Sequence, residues 1–81
     1  MPTVLTIGPY RFFFYSHESD EPPHVHIERD GSAAKFWTEE AKLAQNHGFS
    51  REEVGKLQDL VLKHQSKLLG KWYEYFGKKN R

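Results

Sequence analysis

The chain has 81 residues, a net charge of +1 and no cysteine, which excludes disulfides, thiolate metal sites and a cysteine nucleophile. A domain this small buries only about 60–65% of its unfolded surface, so help from a partner or a second copy is expected, while 15% aromatic content excludes disorder. No apolar run nears the roughly 18 residues of a membrane span and no signal peptide is visible, so a cytoplasmic protein is expected.

Residues 3–7 read as a short β-branched strand, Gly8-Pro9 as a turn, and Tyr10-Arg11-Phe12-Phe13-Phe14-Tyr15 as the returning strand. With Gly8 and Pro9 as the loop, Leu5 faces Phe12 and Val4 faces Phe13. The second strand is aromatic on both faces. It is therefore expected in the middle of a sheet, with part of its outer side covered by a partner.

An acidic loop closed by Pro22-Pro23 leads to residues 24–29 and 32–37, which flank Asp30-Gly31, a strong signal for a two-residue hairpin turn. That turn sets the register: Glu28 faces Ala33, His26 faces Lys35, and His24 faces Trp37. Val25 and Ile27 pair with Phe36 and Ala34 on the other, apolar face.

From Thr38 the pattern turns helical. Thr38 reads as an N-cap and Glu39-Glu40 as the first turn of a short helix to about Asn46, closed by His47-Gly48. Ser50-Arg51-Glu52-Glu53 reads as a capping box, with Phe49 stapling onto Val54. A long helix follows, its stripe formed by Val54, Leu57, Val61, His64, Leu68, Trp72 and Tyr75. The expected fold is α+β: a four-stranded antiparallel sheet of two hairpins, then one short and one long helix packed on one face. It is one domain over 1–81, with a sheet over 1–37, a helical part over 38–76 and a frayed tail over 77–81.

The segment Pro22-Pro23-His24-Val25-His26-Ile27-Glu28 carries the chemistry, because imidazole is the side chain that titrates near neutrality. One reading is a phosphodiester site. His24 and His26 would be the general base and acid, Lys35 or Arg11 would meet the phosphorane charge, and Trp37 and Tyr15 would stack bases. If the protein is an enzyme, a ribonuclease-like activity follows. The competing reading makes the same face a solvated or protein-binding surface. A metal at His24 and His26 would need a third ligand from His17, Asp20, Glu21 or Glu28, none at a characteristic spacing, so no metal and no cofactor are expected. A third reading takes Ala44, Gly48 and Val54 as a helix-turn-helix that binds DNA, although Glu52 and Glu53 would repel phosphates there. His64 fits a core or interface position, and His47 a helix end.

Several blocks together resemble the bacterial domain of unknown function 4160. They are Met1-Pro2-Thr3, Tyr10-Arg11-Phe12-Phe13-Phe14-Tyr15-Ser16, Glu21-Pro22-Pro23-His24-Val25-His26, Ala34-Lys35-Phe36-Trp37, Asn46-His47-Gly48-Phe49-Ser50 and Trp72-Tyr73-Glu74-Tyr75-Phe76. The resemblance implies no established activity or catalytic residues. It implies a place in a two-gene cassette of the toxin–antitoxin kind, beside another small protein. The expected partners are that cognate protein, RNA if this is the toxin-like half, or a second copy of the chain. The alternative is a non-enzymatic protein-interaction or metal-binding module.

Overall fold

The computed structural model describes residues 3–15 and 20–77. Five strands form an antiparallel meander in chain order: β1 (Thr3–Ile7), β2 (Tyr10–Phe13), β3 (His24–Arg29), β4 (Ser32–Trp37) and β5 (Lys42–His47). Two helices follow, α1 (Arg51–Lys63) and α2 (Gln65–Phe76). The architecture is α+β with an antiparallel sheet and two C-terminal helices, but the sheet has five strands where four were expected. His17 and most of the predicted tail lie outside the described residues.

The second hairpin has the register that its turn dictates, with His24 opposite Trp37, His26 opposite Lys35 and Glu28 opposite Ala33. Asp30 (φ 50°) and Gly31 (φ 86°) take the left-handed backbone that such a tight turn requires. In the first hairpin Leu5 faces Phe12 as expected, but Thr3, not Val4, faces Phe13. Val4 is the extra residue of a β-bulge.

The short helix expected over residues 38–46 is a turn and a strand. Residues 38–41 reverse the chain, with Ala41 at φ 54°, and β5 then pairs along β4 from Trp37–Lys42 to Ala33–His47. Glu, Ala, Lys, Leu and Gln favour a helix locally. Against that stands a whole strand of β4 hydrogen-bonding groups that would otherwise be an open edge. His47 therefore ends a strand, and the helix-turn-helix reading loses its first helix.

The long helix is broken at His64 (φ −108°, ψ 19°), which ends α1 and opens α2. A straight helix over residues 51–76 would run about 39 Å, longer than the 37 Å long axis of the domain. The break lets Leu57 and Val61 of α1 cover the sheet, while Leu68 and Trp72 of α2 bury toward its end. The core between them holds Phe12, Val25, Ile27, Ala34 and Phe36. On the opposite side, Phe13 is 4% exposed. It is enclosed by Arg11, Tyr15 and His26 of the same chain.

Half of the capping box forms: Ser50 Oγ accepts from the Glu53 amide at 3.1 Å. The Glu53 carboxylate turns to the sheet instead. It accepts Arg29 Nε at 2.7 Å, Arg29 Nη2 at 2.8 Å and the Tyr10 hydroxyl at 2.7 Å. These donors, Arg29 first, hold the Glu53 carboxyl below the ordinary carboxylate range, and the hydrogen bond to Glu53 pushes the Tyr10 phenol up. A lowered carboxyl contributes stability above its unfolded pKa and loses it as pH falls through the folded value. The raised phenol contributes below its unfolded pKa and loses it as pH rises through the folded value. Glu53→Gln is thus expected to lower Tm at neutral pH, with the gap to wild type closing as the medium is acidified through the carboxylate range. Thermal melts across that range check it; a gap constant in pH would mean that the ionised carboxylate is not what the lock uses.

Candidate functional site

One face of the sheet is packed under the helices, and alternation sends Arg11, Phe13, Tyr15, His26, Glu28, Lys35 and Trp37 to the other. Side by side they form a row of rings. His26 stacks on Phe13 (centroids 5.4 Å apart, 22° between planes) and meets Tyr15 edge-on at 4.9 Å. His24 meets His26 at 5.3 Å and Trp37 at 5.8 Å. Cations cap the row at both ends: the Arg11 guanidinium carbon lies 4.3 Å from the Phe13 centroid, and Lys35 Nζ 4.7 Å from that of Trp37.

Both cations also have carboxylates. Arg11 donates through Nε (2.7 Å) and Nη2 to Glu28 Oε1, and Lys35 Nζ donates to Glu21 Oε1 at 2.8 Å. Glu21 comes from the loop before β3, so the Lys35 pair ties that loop across to β4.

His24 departs most from the expected arrangement. It is 1% exposed, because Trp72 of α2 returns over the start of β3 with its ring 4.9 Å away. Its Nδ1 lies 3.0 Å from the Pro22 carbonyl oxygen and 3.6 Å from Glu21 Oε1. A carbonyl only accepts, so Nδ1 carries a proton and donates to it. The other ring nitrogen, Nε2, is buried. The structure therefore gathers Arg11, Tyr15, His26, Lys35 and Trp37 on one open face and draws His24 beneath it. Among the described residues no group of three or more His, Asp or Glu side chains is placed to hold a metal. The His17 contribution to such a set lies outside them.

Sequence reading missed the glutamines that hold the 38–41 turn. Gln58 Nε2 of α1 donates to Ala41 O at 2.8 Å, and Gln65 Nε2 of α2 donates to Thr38 O and Glu39 O, each at 2.8 Å. They were legible only as polar helix residues, because their partners belong to a turn that local propensity did not foresee.

The fold and this face define a small α+β meander domain with an aromatic, ion-paired open sheet surface. A family model, "Domain of unknown function (DUF4160)", matches residues 10–73, and the chain belongs to that family. The match begins at β2, so β1 lies outside it. No curated protein and no solved structure matches the chain. Among the described residues no helix is long and apolar enough to cross a membrane.

Proposed function

We propose that this protein is a non-enzymatic interaction module that works in the cytoplasm with a cognate small protein, as one component of a toxin–antitoxin-like pair. The state of the groups that a nuclease would use supports this reading over RNA cleavage. His24 presents no open edge to a polymer, and Arg11 and Lys35 are each engaged by a carboxylate. A phosphate arriving here would have to displace Glu28 or Glu21 and then remain beside a negative charge. Rings flanked by paired ions instead match a protein interface, apolar at its centre and polar at its rim.

The test is to express the chain alone and together with the small protein of its cassette. The chain alone is expected to leave growth and cellular RNA intact, and the two proteins to elute as one complex whose mass is the sum of both. A Tyr15→Ala/Trp37→Ala variant should weaken that complex. RNA cleavage by the chain alone, abolished in His26→Ala, would overturn the reading in favour of a ribonuclease. A homodimer that ignores the cassette protein would put a second copy in the partner's place.

A second reading has its own observation. Tyr15 lies 4.9 Å from His26 on the face that also carries Trp37, and base stacking contributes about 1–3 kcal/mol per base in single-strand complexes. RNA bound without cleavage is the outcome that would select it. An oligonucleotide titration with wild type and the same double variant provides that measurement.

A further inference from the structure

Beside Trp37 lies a cleft of about 280 Å³ walled by Pro22, Pro23, Trp37, Glu39 and Glu40. We infer that this cleft binds an arginine side chain presented by a protein partner; the partner's being a protein rests on the function proposed above, whereas the arginine rests on the cleft itself. Its walls combine a tryptophan, two prolines and two glutamates. Those are the complements of a guanidinium plane, an aliphatic stem and a positive charge.

Charge singles out this place. Elsewhere the acidic side chains that line the sheet are matched: Glu28 by Arg11, Glu21 by Lys35, and Glu53 by Arg29. Among the described residues neither Glu39 nor Glu40 forms an ion pair, although Lys42 stands opposite Trp37 in the β4–β5 register. The Glu39 carboxylate accepts a long hydrogen bond from the Tyr73 hydroxyl, at 3.3 Å. Trp37 already takes Lys35 against its ring at 4.7 Å, and Lys35 is not a wall of the cleft. The indole thus accepts cations and has further surface directed into the cleft.

The walls are also held in place. The Thr38 amide donates to the Pro23 carbonyl at 3.0 Å, joining the proline wall to the glutamate turn. Gln58 and Gln65 secure that turn from both helices. A cleft that keeps its shape when empty spends less free energy on ordering when it is filled.

Size and donor set exclude other occupants. At about 280 Å³ the cleft falls just below the 300–1,000 Å³ typical of small-molecule sites, which suits one side chain. Two carboxylates on apolar walls are too few oxygens for calcium, and magnesium would gain nothing from the ring and the prolines. Lysine has the charge but not the planar fork that can stack on the indole and bond a carboxylate at its edge.

The experiment titrates the isotopically labelled full chain with the blocked tripeptides Gly-Arg-Gly, Gly-Lys-Gly and Gly-Gln-Gly and follows amide and indole NMR shifts. Gly-Arg-Gly is expected to move the Trp37 indole and the Glu39 and Glu40 amides, in the millimolar range. Glu39→Gln/Glu40→Gln should weaken binding about five- to tenfold, since exposed ion pairs each contribute modestly. Trp37→Leu, which leaves both carboxylates, should weaken it as well. No localised shift with Gly-Arg-Gly, equal shifts with Gly-Gln-Gly, or equal affinity for Gly-Lys-Gly would overturn the inference. So would affinity unchanged in both variants. Because no cassette protein is present, this result and the co-expression result can fail separately.

Discussion

Replacing Trp72 with alanine is expected to cost about 3–5 kcal/mol of unfolding free energy, the range for truncating a buried tryptophan. The side chain is 4% exposed and lies 5.2 Å from Phe14, 4.4 Å from Phe76 and 4.9 Å from His24, ring centre to ring centre. It is the residue through which α2 reaches both the end of β2 and the start of β3. Domains have only roughly 0.05–0.15 kcal/mol of stability per residue, so this loss would remove a large share of what 81 residues can supply. Urea denaturation followed through the remaining tryptophan, Trp37, measures it. Trp72→Phe keeps a ring against Phe14 and should recover a substantial part of the loss. A denaturation midpoint unchanged in Trp72→Ala would mean that α2 is anchored elsewhere, by Leu68 for instance.

The second large effect is expected at Gly48, between β5 and α1. Its φ of +107° is a backbone conformation that L side chains rarely adopt, and holding one there costs on the order of 1–3 kcal/mol. A methyl group would also sit 2.6 Å from Ser32 Oγ and 3.1 Å from Ser32 Cβ. The hydroxyl can rotate away; the Cβ cannot without moving β4. Gly48→Ala should therefore destabilise by more than Gly31→Ala, where φ is +86° but a new Cβ meets nothing within 4 Å. Adding Ser32→Gly to Gly48→Ala should recover the crowding part and leave the backbone part. Three variants measured by chemical denaturation separate the two. If Gly48→Ala and Gly31→Ala cost the same, crowding against Ser32 contributes nothing.

The sequence was most readable where a short-range rule acts. Asp30-Gly31 can close only a tight hairpin, so every partner from His24–Trp37 to Glu28–Ala33 followed from counting outward. Ser50 marked the start of α1, and within the stripe from Val54 to Tyr75 the spacing marked the buried Leu57, Val61, Leu68 and Trp72, while Tyr75 is exposed. It misled where local preference and distant demand disagree. Residues 42–47 have the composition of a helix and became β5 because β4 lacked a neighbour. Glu53 had the spacing of a capping-box acid and went to Arg29 and Tyr10, which no interval in the chain connects to it.

The candidate site divides along the same line. Alternation and the Asp30-Gly31 register placed His24, His26, Lys35 and Trp37 on one face from the sequence by itself, because side chains in a strand point alternately up and down, whereas Arg11 and Tyr15 join them through the pairing of β2 with β3. Only the tertiary structure decided that His24 lies under Trp72, that Glu21 and Glu28 hold the two cations, and that Glu39 and Glu40 wall a cleft with Trp37. The physical reason is range: strand alternation and turn geometry act over a few residues. Burial and charge pairing depend on which distant segments the chain brings together.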